Sequence, residues 1–381
     1  MKPMKIAIVG GSIAGLATAL TLRCVGHEVT IFERTAAGMR GHGGGVAVLR
    51  QMMRFLEQHG HATRKTLAVP VEWRRWLASD GSLIEESREI VPFSSWDAVY
   101  RSLSEMLPPD VVRYGEAVTN LRNRQGGVEI EINGRETLAA DLLIAADGAG
   151  SGMRAMLFPD YRSSYAGYLA WRGVVEEARL PAPLVAELDN SITLLRERDA
   201  LFMTFPIPAL DGAIEPGKRR FNWLWYRNEP DAGALSRHLT DREGHRHHAS
   251  VSPGGLSAEA TAYLHDCARA GLPPALQQLM THTQAPFLQA IFDASSPSFA
   301  VGRVALVGDA ACTVRPHTAS GTSKAADDAI TLAQALSGLN PADDIDGALA
   351  TWATARRTAL GPLIAKGKQL AQSFGLGAIT Q

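Results

Sequence analysis

The chain has 381 residues, of which 46% are hydrophobic and 20% charged, and its formal net charge at pH 7 is -1. This length predicts two or three domains, and the near-neutral charge argues against nucleic acid or an anionic membrane surface as a partner. Cys24, Cys267 and Cys312 are too far apart for a disulfide framework or a metal site, which favours the cytoplasm. The histidines of 242–248 lack the ligands to complete a metal shell, and we expect neither a metal nor a membrane span.

The most informative pattern lies in the first 33 residues. An apolar, β-branched run at Lys5–Val9 predicts a strand, Gly10–Gly15 predicts a tight turn, and the small residues that follow predict a helix before a second strand at Glu28–Glu33. A turn without side chains lets the backbone approach a pyrophosphate, and the helix N-terminus offers it free N–H groups. Glu33 lies 18 residues beyond Gly15, a spacing suited to a ribose 2′-OH. This order predicts a dinucleotide site.

Two other interpretations of this segment stay open. The turn can be a strand-to-helix connection without a ligand, since Ser12 replaces the middle glycine of the usual pattern. Residues 6–22 could also be a signal peptide, because they are almost wholly apolar and follow Lys2 and Lys5. The three glycines in a turn pattern and the strand that follows favour the nucleotide site.

The remaining elements are predicted in chain order from hydrophobic period and turn residues. Up to residue 147 the pattern predicts helices at 49–59 and 96–107, strands within 69–88, at 117–121 and at 127–132, and a buried parallel strand at 141–147. Between residues 160 and 290 it predicts strands at 165–175, 191–195, 200–205 and 220–226, then helices at 257–269 and 273–280. A buried strand at 304–307 and helices at 323–336 and 345–374 complete the chain.

These elements predict an α/β fold in which a Rossmann-like nucleotide-binding domain is interrupted by a mostly antiparallel β-sheet domain and followed by C-terminal helices. The nucleotide-binding domain is predicted in three parts, at 1–68, 96–160 and 293–340. The inserted sheet domain is predicted at 69–95 and 161–292, and the C-terminal helical segment at 341–381.

Two further motifs stand at the ends of predicted strands. Asp147-Gly-Ala-Gly-Ser-Gly-Met-Arg154 follows one buried strand, and Gly308-Asp-Ala-Ala311 follows another. Strand ends of an open α/β sheet form the rim of its ligand site, where an acid such as Asp309 can accept hydrogen bonds from ligand hydroxyls. On its own, the first of these two motifs fits an ordinary strand-to-helix turn equally well.

Together the three motifs resemble, in order and rough spacing, those of the FAD-dependent aromatic hydroxylases, the group A flavin monooxygenases. Three other stretches are similar to family members that hydroxylate dihydroxypyridines: Gly167–Gly173, Asn222–Tyr226 and Arg315–Lys324. The resemblance implies a para-hydroxybenzoate hydroxylase-like fold, FAD as cofactor, O₂, and NADH or NADPH as a co-substrate. Nicotinamide binding would be transient, because the chain has no second glycine-rich unit. The implied reaction is hydroxylation of an electron-rich ring, here a hydroxypyridine, through a flavin C4a-hydroperoxide.

The resemblance also implies cofactor contacts at the positions that match the family's motifs. These are Gly10, Ser12 and Gly15 at the pyrophosphate, Glu33 and the adjacent Arg34 at the adenosine ribose, Asp147, Gly148 and Arg154 in a stretch shared by FAD and NAD(P)H, Gly308 and Asp309 at the ribityl side, and Pro316 and Gly321 at the isoalloxazine ring. The helix that starts near Gly321 would aim its N-terminus at the flavin N1–C2=O edge, where reduced flavin is anionic.

The chain departs from the family pattern at a few positions. The family has a histidine, a glycine and an asparagine where this chain has Cys312, Ala319 and Ser323, and Tyr100 stands where the family has an arginine that contacts FAD. The dihydroxypyridine branch departs in similar ways, so the flavin interpretation is kept. Cys312 is interpreted as a small core residue.

The sequence indicates the substrate residues less sharply. His317 lies in the predicted flavin loop, and an ordinary histidine pKa near 6.5 would suit proton exchange, so His317 is predicted to contact the substrate and to act with Tyr226 in catalysis; the alternative is a structural histidine. Trp223 and Trp225 share one face of a predicted strand and Tyr226 the other, so either face can be a substrate wall or core. Arg172 can pair with an anionic substrate or cap the sheet edge.

Other functions on a related fold stay open. The substrate could be a phenol, a hydroxybenzoate or another N-heterocycle, or the chain could bind flavin without oxygenase activity, against which intact Asp147, Arg154 and Asp309 argue. A flavin-dependent halogenase is disfavoured, because the stretch Trp223–Arg227 lacks the Ile-Pro pair of the halogenase motif. We expect a small aromatic molecule as the partner and leave a homodimer open as the quaternary structure.

Overall fold

The structure, a computed structural model, describes residues 2–41, 43–59 and 67–377. Its helices are α1 Ile13–Cys24, α2 Arg50–His59, α3 Trp96–Glu105, α4 Gly152–Leu157, α5 Ala182–Leu188, α6 Ala232–His238, α7 Ala258–Gly271, α8 Pro274–Thr281, α9 Gly308–Ala311, α10 Gly321–Leu336 and α11 Ile345–Ser373. Its strands are β1 Lys5–Val9, β2 Glu28–Glu33, β3 Gly45–Ala47, β4 Val69–Leu77, β5 Leu83–Ser95, β6 Val112–Tyr114, β7 Val118–Arg124, β8 Gly127–Ile132, β9 Glu136–Ala140, β10 Leu142–Ala145, β11 Ser164–Glu176, β12 Ser191–Arg196, β13 Ala200–Ile207, β14 Arg220–Asn228, β15 Ser250–Val251, β16 Phe287–Asp293, β17 Ala300–Val301 and β18 Val304–Leu306. None of the helices described here has the length and apolar character needed to cross a bilayer.

A six-stranded sheet in the order β17-β18-β10-β1-β2-β6 carries all three motifs. Its neighbouring strands are parallel except for β17 and β18. The central strands are almost wholly buried, as continuous apolar runs in parallel sheets are. Val9, Ala145 and Leu306 end three adjacent strands in register. The turns that follow them, which hold the three motifs, therefore meet at one edge of the sheet.

A nine-stranded sheet in the order β15-β16-β11-β14-β13-β12-β4-β5-β3 is built from the predicted inserted segments together with β3, which comes from the predicted segment 1–68. Its neighbours are antiparallel except β12 and β4. One face, which we call the tryptophan face, packs Trp171, Trp223 and Trp225 against residues of α5, α7 and α8. The opposite face, which we call the tyrosine face, carries Tyr168 and Tyr226.

The long helix α11 returns the chain to the tyrosine face. The ring centre of Phe374, directly after α11, lies 5.8 Å from that of His317. Asn228, at the end of β14, donates to the Gly375 carbonyl (2.8 Å) and accepts from the Gly377 N–H (2.9 Å). The C-terminal turn is thereby fixed on the same face as Tyr226.

The predicted α/β fold with an inserted, mostly antiparallel sheet agrees with the structure. The hydrophobic pattern did not reveal several elements, most of which are short: β3, β6, β9, β15, β16, β17, α5 and α6. Strand β9, for example, has no fully buried residue and so no apolar alternation. The domain boundaries stay predictions. Within the predicted segments 1–68 and 341–381, residues 60–66 and 378–381 lie outside the described residues.

Candidate active site

The glycine turn after β1 has no room for side chains. Gly10 has a φ of +102°, and a Cβ on it would lie 2.5 Å from the carbonyl oxygen of Ala146. A Cβ on Gly15 would overlap the carbonyl oxygen of Gly10. The glycines therefore let α1 begin directly against the end of β10, which follows the prediction for a close backbone turn.

The helix that starts at this turn lacks a side-chain cap. Ser12 is the N-cap of α1 and is half-buried, but its hydroxyl accepts no capping hydrogen bond. Other described helices do have an N-cap side chain that accepts from their first turn: Ser95, Ser151, Asp231, Ser257 and Asp344. The first N–H groups of α1 are thus left without a side-chain acceptor, as a helix N-terminus that binds a phosphate requires.

Glu33 lies beside the same turn. Its carboxylate accepts from the Gly11 N–H and from the Thr35 N–H, both at 2.8 Å, and the side chain is buried. A carboxylate has about four acceptor positions, so two remain for ribose hydroxyls. Arg34 is exposed. The ribose contacts of Glu33 and Arg34 stay predictions.

The second motif is used largely to build its own turn. Asp147 accepts from the Ser151 hydroxyl (2.5 Å) and the Met153 N–H (3.1 Å) at the start of α4. Gly148 has a φ of +81° and open space beside it. Arg154 is buried and donates to the carbonyl of Ala310 (2.9 Å) and to that of Asp309 (3.2 Å). Arg154 therefore ties the second motif to the third.

The third motif closes against the first. Gly308 has a φ of +58°, and a Cβ on it would lie 2.5 Å from the Cβ of Ala14 in α1. Asp309 is solvent-exposed, yet the protein around it raises its pKa, while the charge of Lys324 opposes that rise. A carboxyl group that is reached by solvent and yet surrounded by protein atoms lies within a cleft. Asp309 is thus available to a ligand where the three motifs meet.

A second uncapped helix begins at the predicted flavin loop. Pro316 is exposed, Ala319 has a φ of +53° where the family has a glycine, and Ser320 gives α10 no side-chain cap. The hydroxyls of Thr322 and Ser323, in the first turn of α10, are buried with no hydrogen-bond partner in the part of the chain described. Two helix N-termini and two spare hydroxyls thus offer donors that an elongated, anionic ligand can use.

The residues present fit a flavin dinucleotide. Glycines too confined for any Cβ, two helix starts without side-chain caps and an exposed acid lie around one sheet edge. Cys312 is fully buried, and burial raises its pKa to about 11, so it is a neutral core thiol as interpreted. Tyr100 is also fully buried, and its hydroxyl accepts from the Met39 N–H at 3.4 Å. Neither departure from the family pattern disturbs the cleft.

His317 stands between the flavin loop and the tyrosine face. Its Nε2 lies 2.9 Å from the Tyr168 hydroxyl, and its ring meets that of Tyr226 edge-on with centres 4.6 Å apart. Its Nδ1 is buried without a partner among the described residues. Burial, with the nearby Arg315, lowers the pKa of His317 to about 4. The expectation of an ordinary histidine pKa is therefore wrong: His317 is neutral at pH 7.

Tyr168 contacts His317, although the sequence pattern did not single it out. It is fully buried, and burial raises its pKa, so its hydroxyl stays protonated at neutral pH. Burial likewise raises the pKa of Tyr226 to about 12, an effect that Arg172 reduces. The only sequence signal for Tyr168 was its place four residues before Arg172 in the family-like stretch, with the alternation that puts both on one face.

Trp223 and Trp225 do not join this cluster. Both are fully buried on the tryptophan face, and the Trp223 Nε1–H donates to the Thr283 hydroxyl at 2.8 Å. Side chains alternate along β14, so the sheet separates both indoles from His317 and Tyr226. Of the two alternatives left open for this face, substrate wall and core, their burial favours the core and corrects the choice of Trp223 and Trp225 as candidate substrate residues.

Arg172 lies on the tyrosine face and forms no ion pair with a carboxylate of the described residues. It donates through Nη2 to the Gly45 carbonyl (3.1 Å), while Asn222 accepts from the Gly45 N–H (2.6 Å). Burial lowers the pKa of Arg172, and Tyr226 is its one neighbour that opposes this shift. A crowded guanidinium that no described carboxylate neutralises favours an anionic ligand nearby.

Comparison with known proteins agrees with this geometry. A family model described as FAD binding domain-like matches residues 165–293. The 2,6-dihydroxypyridine 3-monooxygenase of Paenarthrobacter nicotinovorans is 30% identical over 92% of this chain and 86% of its own length. The salicylate hydroxylase of Pseudomonas putida is 28% identical over 87% of this chain and 77% of its own length. The structure of 2,6-dihydroxypyridine-3-hydroxylase from Arthrobacter nicotinovorans aligns with a TM-score of 0.89 and 28% identity, covering 98% of this chain and 93% of that one.

The cleft and the fold define a flavin-dependent oxidoreductase. The chain belongs to the family of FAD-dependent aromatic hydroxylases. It is a monooxygenase that uses NAD(P)H and O₂ to hydroxylate an electron-rich aromatic ring. When bound, FAD supplies the redox and oxygen-activating chemistry, while the protein binds, orients and excludes water.

Proposed function

We propose that the ring is a hydroxypyridine and that His317 exchanges a proton or a hydrogen bond with its hydroxyl group. One arrangement carries the proposal: a neutral imidazole on the flavin loop is anchored through Nε2 to Tyr168 and keeps a buried Nδ1 without a partner in the described chain. The similarity to a dihydroxypyridine monooxygenase over 92% of the chain supports the ring class.

The hydrogen bond to Tyr168 decides what Nδ1 can do. If the Tyr168 hydroxyl donates to Nε2, then Nδ1 carries the ring proton and donates to a substrate oxyanion. If Nε2–H donates to the Tyr168 oxygen, Nδ1 is the base that takes the proton from a substrate hydroxyl. Both tautomers favour the deprotonated ring, which is the more electron-rich and more easily hydroxylated form.

Two further residues of the tyrosine face are proposed to contact the substrate. Arg172 would pair with the negative charge of the deprotonated ring, because no described acid neutralises it. Tyr226, whose pKa is raised to about 12, stays a hydroxyl and would stack or donate beside His317. Both groups then stabilise the same anionic form of the ring that His317 favours.

For the cofactor, we propose that the roles implied by the resemblance apply to the residues that face the cleft. The proposed contacts are Gly10, Ser12 and Gly15 at the pyrophosphate, Glu33 at the ribose, Gly148, Gly308 and Asp309 along the chain of the cofactor, and Pro316 and Gly321 at the ring system. Asp147 and Arg154 would act by holding their turns, since their polar atoms already bond within the protein.

The proposal is tested by NADH and NADPH oxidation in air, with and without 2,6-dihydroxypyridine, while hydrogen peroxide is assayed. Strong stimulation with little peroxide is the expected result and also identifies the electron donor. Stimulation with stoichiometric peroxide would mark the pyridine as a mimic and direct the search to phenols, hydroxybenzoates and other N-heterocycles. No stimulation by any of these rings would favour a flavin-binding protein without oxygenase activity.

A cytoplasmic location is also proposed. The three cysteines are free in the structure, and Cys312 is enclosed in the core. Free thiols fit a reducing compartment. Localisation of a tagged full chain by fractionation tests this, and size-exclusion chromatography of the same material shows whether it is a homodimer.

A further inference from the structure

A buried group of charges lies directly behind the third motif. The Lys324 side chain, in the first turn of α10, is 1% exposed. Its Nζ donates to the carbonyl of Gly308 (2.7 Å) and to Oδ2 of Asp328 (2.9 Å). The same Oδ2 accepts from the Gly308 N–H at 2.8 Å. Both backbone groups of Gly308 are therefore held by side chains from α10.

The group extends to the C-terminal helix. Oδ1 of Asp328 accepts from Nε of Arg356 at 2.5 Å, and Arg356 also lies 3.9 Å from Asp327. Two cations and two acids balance, so the cluster adds no net charge. Burying an ammonium group costs free energy even when it is paired, and an apolar side chain of similar volume would fill this space at lower cost. The presence of Lys324 here calls for a role besides packing.

The structure shows what the cluster holds in place. Gly308 is confined against Ala14 of α1 on one side and is bonded by Lys324 and Asp328 on the other. Arg154 donates to the carbonyls that follow Gly308. The residue presented by this doubly held turn is Asp309, which is open to solvent in the cleft. The Lys324 charge also favours the ionised form of the Asp309 carboxyl.

We propose that Lys324 is a positioning residue for FAD, which acts by fixing the Gly308 turn so that Asp309 and the adjacent N–H groups meet the cofactor. The proposal rests on the cofactor contact assigned to Asp309 above and is independent of which ring is hydroxylated. Lys324 itself touches no ligand, because its Nζ is enclosed by Gly308 and Asp328.

The test uses purified holoenzyme and measures FAD release as the rise of flavin fluorescence after dilution. Lys324→Met keeps the length of the side chain but removes its charge and donors. We expect release to be about tenfold faster, in line with coupling between residues of one hydrogen-bond network. Lys366→Met, on the exposed side of α11, makes the same chemical change away from the cleft and should release FAD at the wild-type rate.

The same measurement in an Asp309→Asn background separates positioning from general loosening. If Lys324 acts through the Asp309 turn, Lys324→Met should accelerate release far less in that background than in the wild type. An unchanged release rate in folded Lys324→Met, or an equal acceleration in both backgrounds, would overturn the proposal. Should Lys324→Met not fold, Lys324→Met/Asp328→Asn replaces it, because the pair removes one charge of each sign and keeps an acceptor for the Gly308 N–H; the same two outcomes then decide. No substrate enters this test, so it is unaffected by the outcome for hydroxypyridines.

Discussion

The two faces of the nine-stranded sheet are made by the same strands but pack against different parts of the molecule. On the tryptophan face, Trp171, Trp223 and Trp225 are fully buried beneath helices. On the tyrosine face, Tyr226 meets His317 on a loop of the cofactor domain, and none of the described helices that cover the indoles separates the two rings. Trp225 and Tyr226 are adjacent in sequence but separated by the sheet. Alternation along the strand therefore separates the core residues from the residues that are proposed to contact the substrate.

The largest effect is expected from the tryptophan face. Trp223→Ala removes an indole that packs directly over Gly173, where a Cβ would lie 2.5 Å from the ring. The cavity should lower the free energy of unfolding by about 3–5 kcal/mol. Urea unfolding of the holoenzyme measures this, with Trp223→Phe as the milder control. Turnover per folded molecule should stay within about twofold of wild type, and a changed ring preference instead would contradict the assignment of this face to the core.

The next effect concerns the unneutralised arginine of the tyrosine face. Arg172→Met should raise the substrate KM about ten- to a hundredfold, because a hydrogen bond to a charged group contributes about 1.5–3 kcal/mol. The matched control is Arg227→Met, since Arg227 lies near Glu197 (3.8 Å) and over the Trp225 ring on the other face. Steady-state kinetics with the best ring substrate compares them. Equal KM values for both variants would mean that Arg172 does not contact the substrate and only holds Gly45 in place.

A smaller effect is expected at His317. His317→Gln removes a ring atom that is available to the substrate and should raise the ratio of peroxide to hydroxylated product about fivefold, the size of one neutral hydrogen bond. Tyr168→Phe should shift the ratio in the same direction by less, because it removes the hydrogen bond between Tyr168 and His317 but keeps the imidazole. His282→Gln, at the end of α8, serves as the control. A wild-type ratio in His317→Gln would return this histidine to a structural role.

A pH dependence of stability is also expected. The pKa of His317 is about 4 in the folded chain, against about 6.5 for an unfolded histidine, so the unfolded state binds the proton first as pH falls. The stability of the folded state should therefore be lost progressively from about pH 6.5 down to about pH 4. Thermal unfolding across this range should show a shallower loss in His317→Gln than in wild type or His282→Gln. Identical slopes in all three proteins would mean that His317 is already protonated above pH 6.

The cleft could be predicted from the sequence because its geometry requires particular residue types at particular positions. Gly10, Gly15 and Gly308 are required where a Cβ would collide with backbone or with Ala14, and no other residue type satisfies that requirement. Strand ends that meet at one edge of a parallel sheet follow from the order of the elements. The fold, and the meeting of the three motifs at one sheet edge, could therefore be predicted from a single sequence.

The substrate side of the site could not be predicted from the sequence, because it depends on strand register and on which side chains are buried. Whether Trp223 or Tyr226 faces the cofactor depends on which face of β14 the helices cover, and the strand carries large aromatic residues on both. The partner of His317 is Tyr168, 149 residues earlier in the chain, and the low pKa of His317 follows from its enclosure. Neither long-range contact nor enclosure can be read from local pattern.

The uncapped starts of α1 and α10 connect cofactor supply to the folding equilibrium of the chain. At Ser12 and Ser320 the side chains leave the first helical N–H groups to a ligand, whereas the N-cap side chains of α3, α4, α6, α7 and α11 accept from their own first turn. A ligand that accepts those bonds binds the folded chain in preference to the unfolded one, and stabilises it by an amount that grows with the logarithm of free ligand concentration. The free energy of unfolding of this enzyme should thus rise with the concentration of free FAD.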